Sequence, residues 1–270
     1  MPELPEVETI RSQIEKHLLG VQITEVKFPD RSSKVLHGNL EQVEGQKITG
    51  VRRFGKLLII DLSDSYSLAI HLKMTGRLML FQRTEEIGAH THVVFTLADG
   101  RQLTFSDMRR FGYVEILPTV QVSSLRFLQT LGKEPLKDLT LADFKVLLKK
   151  TRRPIKTLLL DQRKIAGIGN IYACESLWMA KIPPQVSAIS LSPEQAKKLF
   201  IAIEDVLKEG IKRGGASDNT YRNLMGGKGK YQDFFKVYMR AGKPCRRCGT
   251  LVKRITLGGR GTFFCPECQK

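Results

Sequence analysis

At 270 residues the chain is long enough to bury a sizeable core and to hold more than one domain. It carries 44 Lys and Arg against 27 Asp and Glu, a formal net charge of +17 with a pI near 9.8, which points to a polyanion, nucleic acid first and an anionic membrane surface second. No apolar run approaches the roughly 20 residues of a spanning helix, the acidic start does not resemble a signal or transit peptide, and a cytosolic location is expected.

The chain opens MPELPEVETI. Val7, Ile10, Ile14 and Leu18 recur at helical spacing up to Gly20, with Pro5 suited to a first turn, so an amphipathic helix is predicted. Removal of Met1 would expose the amine of Pro2, a secondary amine. At an α-amino pKa of about 7.7 to 8, roughly a tenth to a sixth of it is neutral at pH 7, enough for a nucleophile. Bonded to a sugar C1′ it would give, after ring opening, a permanently cationic iminium that acidifies the adjacent carbon and lets a 3′-phosphate leave. Glu3 and Glu6 would supply protons and hold the amine. The competing reading is that these acids complement the positive end of the helix, and the stretch alone favours it.

From Val21 to Leu117 the texture is β-rich: VQITEVKF, KITGVRRF, GKLLIIDL, YSLAIHL, RLMLF, THVVFTL, RQLTFSD and YVEIL. Asp99-Gly100 marks a hairpin, and the spacing predicts a sandwich or barrel of about eight strands. Lys56 heads the most apolar of these runs, either snorkelling to the edge or binding a phosphate. Two turns carry unusual residues: Met74 beside Thr75-Gly76, and Arg109, Arg110 and Phe111 before Gly112. Apolar side chains there are core residues by default, and wedges into a base stack as the alternative.

Beyond a connector the pattern turns helical. Thr140-x-x-Asp143 and Ser192-Pro193-x-Gln195 read as capping boxes, Pro154 as another first turn, and Gly214-Gly215 as the stop of the last long helix. Gly167-Ile168-Gly169 before a helix starting at Asn170 suits an anion at the helix N-terminus, or else Asn170 is an ordinary cap. A polar, glycine-rich stretch then runs from Gly215 to Gln232. The tail places Cys245-x2-Cys248 and Cys265-x2-Cys268 on either side of KRITLGGRGTFF, the spacing of one tetrahedral, structural Zn²⁺ at the ends of a β-hairpin. Cys174 is expected to be buried filler. Arg260 sits at the glycine-flanked hairpin tip and Arg254 along one arm, as phosphate contacts or as solvated charge.

In combination, Pro2-Glu3-Leu4-Pro5-Glu6, HLxMTG, DxRRFG, GIGNIYACESL and a four-cysteine hairpin with GRGTFFC, in that order, make the chain resemble the bacterial formamidopyrimidine-DNA glycosylase family from end to end. The resemblance implies an α+β multi-domain fold. Its parts would be an N-terminal helix with an eight-stranded β-sandwich over 1–118, a linker over 119–134, a helix-two-turns-helix domain with a lesion-capping loop over 135–232, and a zinc hairpin over 233–270. It implies a monomeric, bifunctional DNA glycosylase and abasic-site lyase acting on duplex DNA with oxidised purines. Pro2 would form a Schiff base with C1′, Glu3 would be the acid, and Lys56 and Arg260 would serve catalysis at the lesion phosphates. Met74, Arg109 and Phe111 would insert where the damaged nucleotide leaves the helix. Asn170, His71, Tyr238 and Arg254 would contact the backbone, with Thr220 and Tyr221 on the lesion loop.

The sequence departs from the family pattern at three positions: Asn219 where an arginine is expected, Lys73 in place of a usual glycine, and Arg254 in place of a frequent lysine. Two alternatives remain open here: an endonuclease VIII-like enzyme for oxidised pyrimidines, and a catalytically silent zinc-ribbon protein that binds bent DNA. The Pro2-Glu3-Leu4-Pro5 start and the Met74, Arg109 and Phe111 set favour the purine branch over the first. Only a free Pro2 amine and Glu3 separate the enzyme from the second.

Overall fold

The computed structural model describes residues 1–29, 35–82, 88–217 and 220–270, so Asn219 lies outside the described residues. Contacts divide the chain into two compact units: Met1–Gln129 with Arg213–Lys230, and Thr130–Lys212 with Tyr231–Lys270.

The first unit begins with helix α1, Leu4–Leu18, whose buried stripe of Leu4, Val7, Ile10, Ile14 and Leu18 is the predicted apolar repeat. Each of these aliphatic side chains stabilises the unit by about 1.5–3 kcal/mol on burial. Glu6 reaches back to the Glu3 N–H at 2.7 Å, satisfying one of the donors that a helix start leaves open. Gly20, at φ 80, ends the helix and donates to the Ile48 carbonyl at 2.8 Å.

Strands follow: β1 Ile23–Lys27, β2 Leu36–His37, β3 Ile48–Phe54, β4 Leu57–Leu62, β5 Tyr66–His71, β6 Gly76–Gln82, β7 Thr91–Leu97, β8 Arg101–Asp107 and β9 Tyr113–Pro118. Each predicted run coincides with one of them to within a residue or two at the ends, and the two-residue β2 is the addition. They form a four-stranded sheet, β1-β7-β8-β6, and a five-stranded sheet, β2-β9-β5-β4-β3. Only the β2–β9 pairing is parallel among those described. Gly100, at φ 85, makes the β7–β8 hairpin, where Asp99 Oδ1 accepts the Arg101 N–H at 3.1 Å. The core between α1 and the sheets includes Ile10, Ile14, Leu58, Ile60, Leu68, Phe95 and Phe105. A short helix α2, Arg126–Gln129, closes this part of the chain.

The second unit holds α3 Leu141–Lys149, α4 Ile155–Leu160, α5 Asn170–Met179 and α6 Pro193–Lys212, then the hairpin of β10 Lys253–Leu257 and β11 Arg260–Phe264. Both predicted capping boxes form. Thr140 N–H reaches Asp143 Oδ2 at 3.0 Å and Asp143 N–H reaches Thr140 Oγ1 at 3.1 Å, with the same reciprocity between Ser192 and Gln195 at 2.9 and 3.1 Å. Pro154 is the N-cap of α4, one step ahead of the expected first turn. Cys174 is buried in a cluster with Trp178, Val237 and Phe263.

Residues 213–230 follow α6 in sequence yet pack in the first unit. Ala216 N–H donates to Glu6 Oε1 at 2.7 Å, Leu224 N–H to Gln13 Oε1 at 2.9 Å, and Leu80 N–H to the Leu224 carbonyl at 2.7 Å. A chain-order division cannot register such contacts, because their donors and acceptors on α1 lie 210 and 211 residues away.

Candidate active site and nucleic-acid interface

At the front of the first unit, Pro2, Glu3 and Glu6 are all buried. Glu6 is 0 % exposed, and its two oxygens hold two different segments: Oε2 takes the Glu3 N–H and Oε1 the Ala216 N–H, each at 2.7 Å. Charge-assisted bonds of this kind are short and directional, so the residues beside the Pro2 nitrogen and the 213–230 segment share one anchor. Tyr221 donates its hydroxyl to the Glu6 carbonyl at 3.3 Å and packs in the core, where burial, followed by the Glu6 charge, pushes its phenol well above the ordinary range. Thr220, its neighbour, is half-buried.

Lys56 lies in the tight β3–β4 turn behind Gly55 at φ 58 and is nearly buried. His71 ends β5; the register pairs it with Leu57 on one side and Tyr113 on the other. Its Nδ1 accepts the Lys73 N–H at 3.0 Å, and its ring packs edge-on to Phe127 at 5.3 Å. Burial, then the positive charges of Lys73 and Lys56, lower the His71 pKa to about 3. The imidazole is therefore neutral at physiological pH. With Nδ1 accepting, its remaining proton sits on Nε2 and is a donor. A neutral donor between two cations is a suitable lining for a phosphate.

The two unusual turns differ from an ordinary core. Phe111 is 54 % exposed and Met74 half-buried, and the Arg109 guanidinium stacks 4.6 Å from the Phe111 ring centroid. An aromatic ring held outward by a short turn carries no packing role, so the core reading of Phe111 does not hold. Lys73 adopts φ 47, a conformation glycine enters without strain, which accounts for glycine being usual at such a position.

In the second unit Gly169 caps α5, so Asn170 is the first helical residue and its side chain is released from capping duty. Instead Asn170 Nδ2 donates to the Gly261 carbonyl at 2.9 Å and Oδ1 accepts from Lys156 Nζ at 2.5 Å. Lys156, 0 % exposed, also reaches Thr262 Oγ1 at 2.7 Å and the Gly261 carbonyl at 3.3 Å. These acceptors suit the N–H bonds of an ammonium group. This knot fixes the start of α5 against the hairpin strand that begins at Arg260, whose own side chain is exposed next to Gly258 and Gly259 at φ 56 and 71. Arg254 lies on the opposite strand, paired with Phe263. Tyr238 sits between Phe235 and Phe263, at 5.2 and 5.3 Å, and its N–H donates to Glu175 Oε1 at 2.8 Å.

Cys245, Cys248, Cys265 and Cys268 bring their sulfurs within 4.8 Å of one another. Trp178 Nε1–H and Arg247 N–H point at Cys245 Sγ at 3.4 and 3.5 Å, and Cys268 N–H at Cys265 Sγ at 3.4 Å. Donors aimed at sulfur fit thiolates, and four thiolates with no open position fit one structural Zn²⁺.

Two residues of this unit escaped the sequence reading. Lys156 has partners 14 and 106 positions away, and nothing in PIKTLLL announces them. Glu175 lies inside GNIYACESL, yet its role appears only in three dimensions: it accepts N–H bonds from Lys236, Val237 and Tyr238 at 2.9, 3.0 and 2.8 Å. Burial raises its pKa against the pull of those donors. A charged residue in an otherwise apolar helix was the one available signal.

Comparison with known proteins gives a consistent result. Family models match three segments: the formamidopyrimidine-DNA glycosylase N-terminal domain over residues 1–114, the formamidopyrimidine-DNA glycosylase H2TH domain over 131–222, and a zinc finger found in FPG and IleRS over 242–270. The formamidopyrimidine-DNA glycosylase of Pelotomaculum thermopropionicum is 44% identical over 274 residues, covering 100% of this chain and 99% of that one. A variant of the Lactococcus lactis FPG in complex with Fapy-dG containing DNA superposes with TM-score 0.91 at 37% identity, covering 100% of both chains. The MutM (FPG) protein of Thermus thermophilus superposes with TM-score 0.89 at 40% identity, covering 99% of this chain and 98% of that one.

Proposed function

The chain belongs to the formamidopyrimidine-DNA glycosylase family, and from that premise we propose that it excises oxidised purines, 8-oxoguanine and formamidopyrimidines, from duplex DNA and then cleaves the strand at the abasic site. The reading rests chiefly on Pro2 and Glu3 buried at the head of α1, with the Glu3 N–H fixed on Glu6. Once Met1 is removed, the Pro2 nitrogen attacks C1′, the damaged base departs with its bonding electrons, and the proton shed by the nitrogen passes to that base. Glu3 protonates the ring oxygen, the sugar opens, and the nitrogen lone pair gives a cationic iminium. Loss of a C2′ proton expels the 3′-phosphate, loss of a C4′ proton expels the 5′-phosphate, and water releases the sugar fragment from Pro2.

The other residues take supporting parts. Lys56, with neutral His71 and Lys73 beside it, holds backbone phosphate at the lesion, and Arg260 does so from the hairpin tip; Asn170, Tyr238 and Arg254 extend these contacts. Met74, Arg109 and Phe111 fill the gap left by the extruded nucleotide. Thr220 faces the lesion while Tyr221 anchors the loop from beneath. Zinc held by Cys245, Cys248, Cys265 and Cys268 supplies folding energy to the hairpin and no chemistry. The functional division is 1–118, 119–134, 135–232 and 233–270. No helix among the described residues is long and apolar enough to cross a membrane, and the enzyme works in the cytoplasm at the nucleoid, as a monomer.

The test is covalent trapping. Borohydride reduces an iminium to a stable amine, so the processed protein should become cross-linked to an 8-oxoguanine duplex. No adduct, or an undiminished one after Pro2→Gly with the new amine acylated, would overturn the reading.

A further inference from the structure

Asp107, at the end of β8, is 1 % exposed and takes no part in the chemistry above. Its Oδ1 accepts the Thr75 hydroxyl and, at 3.1 Å, the Arg109 N–H; its Oδ2 accepts the Gly112 N–H at 2.7 Å. Thr75 Oγ1 in turn accepts the Arg109 N–H at 3.2 Å. The Asp107 carbonyl is held separately by His92 Nε2 at 2.9 Å. One carboxylate thus binds the residue after Met74 and the residues on both sides of Arg110 and Phe111, although the two turns lie 32 positions apart in sequence.

The packing around it leaves no slack. A Cβ at Gly112 would meet the His71 carbonyl at 2.8 Å and Phe105 Cζ at 2.9 Å, and a Cβ at Gly76 would meet the Leu72 carbonyl at 2.4 Å. Both turns are pinned at their rear by close backbone contact and joined at their front by Asp107. Arg110, at φ 55, completes a turn that throws Phe111 outward. A charged acceptor ringed by one hydroxyl and backbone N–H groups sets direction as well as distance.

We propose that Asp107 is a positioning residue that clasps the two wedge-bearing turns together, so that Met74 on one and Arg109 with Phe111 on the other enter the base stack as a single preset unit. The proposal rests on the wedge role assigned above. It follows that breaking the clasp impairs extrusion of a nucleotide from a paired duplex and spares the chemistry on a nucleotide that is already unpaired. Asp107→Asn keeps the shape but turns an N–H donor toward groups that themselves donate. Thr75→Val removes only the hydroxyl bridge, and Thr75→Ser restores it.

The experiment compares two substrates with the processed, zinc-loaded full chain. One is an 8-oxoguanine duplex with 2-aminopurine opposite the lesion, whose fluorescence rises on unstacking. The other is a single-stranded oligonucleotide with an abasic site. Asp107→Asn and Thr75→Val should slow excision and the fluorescence rise on the duplex, Asp107→Asn by on the order of 100-fold, the scale of a misplacement near 1 Å. Cleavage of the unpaired abasic site should stay within about threefold, and Thr75→Ser should behave as the parent chain. Equal losses on both substrates, or no loss on either, in both Asp107→Asn and Thr75→Val would overturn the clasp. Phe111→Ala separates the two levels: if it leaves duplex excision unchanged, the wedge reading itself falls; if it slows excision while Asp107→Asn does not, only the clasp falls.

Discussion

The two units hold themselves together by different means. The first packs α1 and two sheets around a continuous apolar core and then hangs its polar apparatus on turns. Two of its buried acids, Glu6 and Asp107, are ringed by N–H and O–H donors from the segments they fix. The zinc-hairpin end of the second unit has a small cluster around Trp178, Val237 and Phe263. It relies instead on four thiolates, on the Lys156 knot to Asn170 and Thr262, and on Glu175 under the 236–238 backbone. A core tolerates the loss of one contact, whereas a hairpin stapled at a few polar points depends on each.

The largest expected break in that comparison is zinc removal. Structural zinc sites of this type contribute on the order of 10 kcal/mol, so chelation, or Cys265→Ser, should abolish DNA binding in a gel-shift assay while the β-rich unit keeps its near-ultraviolet dichroism and its cooperative melt. Loss of both together would show that the first unit does not stand on its core. Next is Lys156→Met. It leaves Asn170 Oδ1 and Thr262 Oγ1 short of a buried donor, at a cost of about 1–3 kcal/mol for each unsatisfied group. Denaturant melts should register this loss, and affinity for undamaged duplex should fall with it, since the start of α5 is then tied to the strand carrying Arg260 by the Asn170–Gly261 bond without the lysine.

The smallest effect sharpens the account of the first unit. His71 has a folded pKa of about 3, below its ordinary 6.5, so the unfolded chain binds the proton more readily than the folded one. Stability from this group is complete above pH 6.5 and is lost as pH falls toward 3, with a slope of up to about 1.4 kcal/mol per pH unit. Urea melts between pH 7 and 5 should therefore show a shallower decline for His71→Asn, whose side-chain oxygen can still accept the Lys73 N–H, than for the parent chain. Parallel curves would mean that His71 is not held neutral.

How much of this was legible in the sequence depends on how local the determining contacts are. The α1 stripe, the Asp99-Gly100 hairpin, the Thr140 and Ser192 boxes and each Cys-x2-Cys pair are set by residues close together in sequence, and each was readable. Asn170 was readable as a position at the start of a helix, but its two candidate duties were not separable, because the deciding partner, Gly261, is 91 residues distant. Phe111 could not be told from a core residue without knowing which way its turn faces. Lys156 and Glu175 left almost no trace, since a lone charge among apolar neighbours names no partner, and Asp107 stood in the DxRRFG motif without naming its own, Thr75, 32 residues earlier. The placement of residues 213–230 with α1 was hidden for the same reason.

One small seam bears on how such an enzyme can change over generations. Gly215, at φ 80, lies so close to Glu6 that even a methyl group would meet Glu6 Cγ and Oε1 at 2.8 Å, and Gly229 is pressed as tightly on the Gly215 carbonyl. Both ends of that loop are closed to any side chain, whatever lesions the organism meets. On the lesion-loop role proposed above for Thr220, drift in substrate range is confined to the stretch between these two glycines, which makes the loop an exchangeable cartridge on a fixed mount.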